Sequence, residues 1–173
     1  MPAASILIKP ASANCNMDCK YCFYKCLSRH REEYSKGFMK EETLETLVRE
    51  AIAYADGSLT FAFQGGEPTL AGLDFFQKAV ELQQKYNNKK LQIENTIQTN
   101  GLLIDEKWAR FLGEHRFLVG LSLDGPKKMH DRYRKDAAGQ DTFPRIMQCV
   151  QLLEQFHVDY NVVTVVTNDT AKQ

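Results

Sequence analysis

The sequence predicts an α/β fold, a partial (β/α) barrel of parallel strands with helices outside, and three observations carry that reading. Strand-like and helix-like segments alternate from Ser5 to Val166. Three strands run straight into polar, glycine-bearing turns: Gln64-Gly65-Gly66-Glu67, Gln98-Thr99-Asn100-Gly101 and Ser122-Leu123-Asp124-Gly125. The first strand leads into CNMDCKYC at 15–22, three cysteines spaced C-x3-C-x2-C. Alternation alone fits an open doubly wound sheet as well as a barrel, and one polar turn after a strand would mean little. Three such turns at successive strand ends, beside a cysteine loop, are what the active rim of a barrel looks like.

Each element follows from local pattern. Residues 5–9 read as a strand. Thr43 opens a helix whose apolar residues Leu44, Leu47, Val48, Ala51, Ile52 and Ala55 fall at i, i+3, i+4, i+7, i+8 and i+11, one face of a 3.6-residue period. Asp56-Gly57 ends it ahead of a strand at 59–63, and a second helix covers 73–86 before the polar run 87–90. A strand at 91–97 sets Leu91, Ile93, Asn95 and Ile97 on one face. Asp105 caps a short helix carrying Trp108, Phe111 and Leu112, and a strand follows at 117–121. Asp141-Thr142 with Pro144 starts a helix that turns Ile146, Cys149, Val150 and Leu153 inward, and 158–166 is the last strand. Asn168-Asp169-Thr170 then offers an N-cap cluster with only three residues after it. The expectation is therefore a single, incomplete domain over 1–173, the N-terminal piece of a longer protein, with the barrel's last strand missing and an unpaired parallel edge left behind.

Composition narrows the function classes. A chain of 173 residues, 43% hydrophobic, can bury a sizeable core. Its 22 basic and 22 acidic residues cancel, which argues against nucleic acid or an anionic membrane as partner. The N-terminal apolar run, Ile6-Leu7-Ile8, is too short for a signal peptide, and no later run approaches the ~20 residues of a membrane span. Five cysteines, an odd number with three crowded together, predict reduced thiols in a cytoplasm.

The cysteine loop itself admits two readings. A disulfide would leave one sulfur over. Zinc would take a fourth ligand such as Cys26 or His30, although zinc knuckles usually add a second cysteine pair well downstream, which is not present. Three thiolates at this spacing can instead hold three irons of a 4Fe–4S cluster and leave the fourth open to a substrate or cofactor.

CNMDCKYCFY, GGEPT at 65–69, QTNG at 98–101 and LSLDGP at 121–126, with Arg134 beyond, resemble radical S-adenosylmethionine (SAM) enzymes. Within these the chain looks most like the anaerobic sulfatase-maturating enzymes, over essentially its whole length, from IKPASANC to VVTNDTA. The resemblance implies a radical SAM core, a 4Fe–4S cluster and SAM as cofactors, and conversion of a sulfatase cysteine or serine to formylglycine. The implied partners are a sulfatase polypeptide and a small reductant such as flavodoxin or ferredoxin. A C-terminal region with further clusters and the general base, where the family's catalytic acid or base would lie, is expected beyond this segment, which alone should not complete the reaction. Relatives that build thioether peptides or mature quinone cofactors, and a non-catalytic metal-stabilised module, are the alternatives.

Residue by residue, the resemblance implies Cys15, Cys19 and Cys22 as cluster ligands. It places SAM against Tyr21, Gly65, Gly66, Glu67, Ser122 and Arg134. The two glycines would let backbone carbonyls approach the methionine ammonium where a Cβ would block them. A guanidinium at Arg134 suits a carboxylate because its fork donates twice in one plane, though among the charges of HDRYRKD it also reads as one solvated side chain. Tyr24 and Gln64 are expected at the peptide, and Gln98, Thr99 and Asn100 at the pocket floor. Cys26 matches nothing in the motif, and Cys149 reads as a small buried hydrophobe.

Overall fold

The computed structural model describes residues 3–169 and 171. Its strands, β1 Ala4–Ile8, β2 Ser58–Phe63, β3 Gln92–Thr99, β4 Leu118–Ser122 and β5 Tyr160–Val163, are all parallel and pair in the order β1-β2-β3-β4-β5. Consecutive order is singly wound. A doubly wound sheet would reverse its order at a switch point, whereas successive right-handed crossovers in one direction return every helix to the same side. The sheet is open, a segment of a barrel wall and not a closed barrel.

The two faces differ because side chains alternate along each strand. One face carries Leu59, Phe61, Phe63, Ile97, Val119 and Leu121, all buried against the helices α2 Glu41–Tyr54, α3 Leu73–Tyr86, α4 Glu106–Glu114 and α6 Phe143–Gln155. Aromatic rings fill this layer, with Phe63 and Phe76 at 4.9 Å and Phe76 and Trp108 at 5.2 Å between centroids. Each such ring contributes about 1.5–3 kcal/mol by leaving water. The opposite face mixes the polar Ser5, Thr60, Thr96, Gln98 and Ser122 with Leu7, Ala62 and Leu118, and helices leave it open enough that Leu7 and Leu118 are exposed. Gly120 belongs to that face, and a Cβ there would lie 2.3 Å from the Gln98 amide oxygen.

Boundaries shift for identifiable reasons. Two short helices, α1 Phe23–Arg29 and α5 Lys127–Tyr133, appear where no apolar period had pointed to a helix. They are seven residues each, and their places are set by the cysteine loop and the turn after β4. The expected strand at 158–166 shrinks to β5, because β4 ends at Ser122 and the ladder loses its partner. Beyond it the chain follows the turn after β4: Thr164 Oγ1 donates to the Leu123 carbonyl at 2.7 Å and the Val165 N–H to Asp124 at 3.1 Å. Asp105 caps α4 as expected, accepting from the Trp108 N–H at 2.9 Å. For α6 the capping oxygen comes from Asp131, which accepts from the N–H groups of Thr142 and Phe143 at 3.0 and 2.9 Å. Of the N-cap cluster expected at 168–170, Thr170 lies outside the described residues. Asp169 accepts instead from the Tyr133 hydroxyl at 2.5 Å and pairs with Arg132 at 3.0 Å.

Candidate active site

The cysteine loop is clamped on two sides. From below, the Glu67 N–H donates to the Asn14 carbonyl at 2.8 Å. From the side, the N–H groups of Asp18 and Lys20 donate to the carbonyls of Lys135 and Tyr133 at 2.8 and 3.0 Å, and buried Met17 bridges to Asp136. Cys22 then becomes the N-cap of α1. The result brings Cys15, Cys19 and Cys22 together in the lining of a cavity of about 330 Å³ at the strand C-termini.

The other residues singled out by sequence line the same cavity. Tyr21 and Tyr24 come with the cysteine loop, Gln64 to Glu67 from the end of β2, Ser122 from the end of β4 and Arg134 from the end of α5. Across the mouth, the Gln64 amide donates to the Tyr24 hydroxyl at 3.2 Å, and on the floor the Gln98 amide donates to Ser122 Oγ at 3.2 Å. Val163 and Val165 form an apolar side.

The glycine pair answers to the loop. Gly65 and Gly66 both have positive φ, +106° and +57°, a region L side chains rarely adopt. A Cβ on Gly66 would stand 2.3 Å from the Asn14 carbonyl oxygen, which is backbone, whereas one on Gly65 would meet only the flexible Lys9 side chain. The missing Cβ at 66 is therefore required by close approach of the cysteine loop before any ligand is considered. Glu67 is a brace between turns. Its Oε1 accepts from Thr69 N, Thr69 Oγ1 and Thr99 Oγ1 at 3.1, 2.7 and 2.7 Å, and its Oε2 from the Asn100 N–H at 2.7 Å. Burial raises the pKa of this carboxyl, and those donors offset only part of the rise. Only Oε2 keeps acceptor capacity to spare.

Arg134 is buried, against the reading of it as a solvated charge. Its Nη2 donates to Asp124 Oδ1 at 3.1 Å, and its ζ carbon stands 5.4 Å from the Tyr21 ring centroid. Tyr21 donates its hydroxyl to the other Asp124 oxygen. Arg134 Nε lies 3.0 Å from that oxygen too, but off the hydrogen-bond direction, and so keeps a buried donor without an acceptor. Behind the pair, His130 Nδ1 accepts from the Asp124 N–H at 3.3 Å while Nε2 faces Thr142 Oγ1 at 2.9 Å. Thr142 passes its own proton to the Arg134 carbonyl at 2.7 Å. This chain needs a neutral His130 with its proton on Nε2, and burial, with Arg134 nearby, depresses its pKa accordingly.

Neither expected zinc ligand joins the cysteines. His30 Nδ1 donates to the Cys26 carbonyl at 2.8 Å on the exposed side of α1. Among the described residues no three His, Cys, Asp or Glu side chains converge on a point as a mononuclear metal requires. Three thiolates that each take a separate iron need no such convergence. All the cysteines are free, Cys15 exposed and Cys19 half-buried; desolvation by the surrounding loop still pushes both thiols up to about 11, partly offset by the Met17 N–H at Cys15 and the Arg134 guanidinium at Cys19. Cys149 is sealed in the core, as expected, and its thiol is raised by burial to about 12.

Residues 10–172 match the Radical SAM superfamily. The chain belongs to that superfamily. It is 54% identical over 99% of its length to a cysteine-type anaerobic sulfatase-maturating enzyme of Clostridium perfringens, of which it covers 46%. It is 38% identical over 96% of its length to a serine-type anaerobic sulfatase-maturating enzyme of Bacteroides thetaiotaomicron, covering 40% of that protein. The solved structure of anSMEcpe with bound AdoMet superposes with a TM-score of 0.94 at 52% identity, over 99% of this chain and 47% of that one. The form with AdoMet and the Cp18Cys peptide gives 0.92 at 51%, over 99% and 45%. The chain thus spans about half the length of the curated relatives it matches.

For a radical SAM core the donor set fits. Three free thiols line the same cavity as the Arg134 guanidinium, a cation beside the sulfurs. The residue that sequence reasoning passed over is Asp124. It stood in LSLDGP, the one carboxylate of a glycine turn, but nothing in its spacing announced that Tyr21, Arg134 and Val165 would all donate to it.

Proposed function

We propose that Cys15, Cys19 and Cys22 hold a 4Fe–4S cluster, that AdoMet occupies the adjoining cavity, and that the protein oxidises a cysteine of a sulfatase polypeptide to formylglycine. The single observation behind this is that one cavity joins three free cysteines to Gly65, Ser122 and Arg134 in a chain 54% identical to a cysteine-type maturase. The lower identity, 38%, to a serine-type enzyme favours cysteine as the target. When bound, cluster and AdoMet together supply a 5′-deoxyadenosyl radical that takes a hydrogen from the substrate side chain.

The chain's own residues then bind and orient. Arg134, which lines the cavity and is held by Asp124, presents its guanidinium to a carboxylate, and the fixed guanidinium loses little freedom in doing so. Tyr21, pinned through its hydroxyl, presents a ring face to the adenine. Ser122 Oγ, already receiving from Gln98, has its proton to give to a ribose or carboxylate oxygen. Glu67 supports the ammonium end from behind the glycines. Tyr24 and Gln64, bonded across the mouth, meet the peptide. Val163 and Val165 keep water from that side. Residues 1–173 form part of a radical SAM core domain, served by a small reductant such as flavodoxin or ferredoxin. Five free cysteines support a reducing, cytoplasmic setting. Among the described residues no helix is long and apolar enough to cross a membrane.

Anaerobic reconstitution, reduction in the presence of AdoMet, and mass spectrometry of paired sulfatase peptides carrying Cys or Ser test the reading. We expect 5′-deoxyadenosine from residues 1–173, and the aldehyde mass change in the Cys peptide from a protein that also carries the further-cluster region the resemblance implies. Such a longer protein that releases 5′-deoxyadenosine but modifies neither peptide would redirect the proposal to a different substrate.

A further inference from the structure

We propose that Asn100 tunes the iron–sulfur site by donating a side-chain N–H to the sulfur of Cys15. The proposal rests on Cys15 as a cluster ligand and goes beyond it, because Asn100 would touch no iron and no substrate.

The geometry leaves the amide one orientation. Asn100 is buried, and its backbone N–H is fixed to Glu67 Oε2 at 2.7 Å. Its side-chain Oδ1 accepts from the Leu102 N–H at 3.0 Å, closing the turn after β3. Nδ2 must therefore face the cysteine loop, where it lies 2.8 Å from Asn16 Oδ1 and 3.8 Å from Cys15 Sγ. An amide nitrogen has two hydrogens, and here each has one acceptor. The turn alone does not require this residue, since Asp would accept from Leu102 equally well. Only an amide accepts on one side and donates on the other.

A donor at a ligating sulfur favours the state with more negative charge on that sulfur, which is the one-electron-reduced cluster. Asn100 thus holds the reduction potential up and makes the electron easier to deliver. Glu67 takes part by setting Asn100, so the turn after β2 reaches Cys15 through the turn after β3.

The test is a redox titration of the anaerobically reconstituted protein, followed by electron paramagnetic resonance, for wild type, Asn100→Ala and Asn100→Asp. Asn100→Asp keeps the acceptor for Leu102 and removes the donor. We expect iron content equal to wild type in both variants and, in Asn100→Ala, about a tenfold loss in the equilibrium constant for one-electron reduction, about 59 mV. Asn100→Asp should fall further, because it adds a negative charge. An unchanged potential in Asn100→Ala at full iron content overturns the proposal while leaving the cluster assignment standing. Wild-type protein that takes up no iron overturns both. Should the variants fail to assemble a cluster, wild type labelled with 15N at the asparagine side chains decides: hyperfine coupling to that nitrogen in the reduced cluster supports the contact, and its absence refutes it.

Discussion

Arg134 and Asp124 form a buried ion pair, the guanidinium Nη2 standing 3.1 Å from Oδ1, at the point where the turn after β4 meets the end of α5. Removing either partner strands the other charge away from water. We expect Asp124→Ala to destabilise the protein by about 3–5 kcal/mol in urea unfolding, and Asp124→Ala/Arg134→Ala to recover part of that loss. A double variant no more stable than the sum of the singles would show that the two side chains act independently.

Ligand binding separates the partners. Arg134→Ala should weaken AdoMet by about 1.5–3 kcal/mol, the scale of a charged hydrogen bond, in calorimetric titration of the reconstituted protein. Unchanged affinity would confine Arg134 to its structural pair.

The glycines make a contrasting pair. Gly66→Ala sets a Cβ against the Asn14 carbonyl, the peptide group that leads directly into Cys15, and should reduce iron uptake by displacing the loop. Gly65→Ala meets a side chain that can swing away, so its cost is mainly that of its positive φ, and it should retain more iron. Equal iron in Gly66→Ala and wild type would show that the loop yields and that the glycine serves the ligand instead.

His130 gives stability an acid limit. Its folded pKa is depressed, mainly by burial, so the neutral form is favoured in the fold. Above about 6.5, the unfolded value, neither state carries the proton and the contribution is intact. As pH falls from there toward the lower folded value, the unfolded chain binds a proton that the folded one resists, and stability declines. Urea midpoints between pH 7.5 and 5.5 should fall for wild type and fall less for His130→Gln. Parallel slopes would contradict the assignment.

Much of this was readable from local pattern. The helix at 73–86 keeps both its ends as α3, because its apolar period and the polar run after it are local facts. The alternation of β2 likewise separated Leu59, Phe61 and Phe63 from the face that ends in Gln64. What was not readable depends on contacts far apart in sequence. Asp124 and Tyr21 are 103 positions apart, and Asn100 and Cys15 are 85. The missing Cβ of Gly66 reads from sequence as room for the ligand, and nothing local in GGEPT announced that a Cβ there would also meet the Asn14 carbonyl. The seven-residue helices α1 and α5 are too short to display an amphipathic period, and their termini are set by tertiary contacts.

The central claim is that three cysteines of the 15–22 loop, and no others, hold one 4Fe–4S cluster. Iron and sulfide content of anaerobically reconstituted Cys15→Ala, Cys19→Ala and Cys22→Ala, beside exposed Cys26→Ala, tests it directly. The account predicts loss of the cluster and its brown colour in each of the first three, and wild-type iron in Cys26→Ala. A full complement of iron in Cys19→Ala, or its loss in Cys26→Ala, would contradict it.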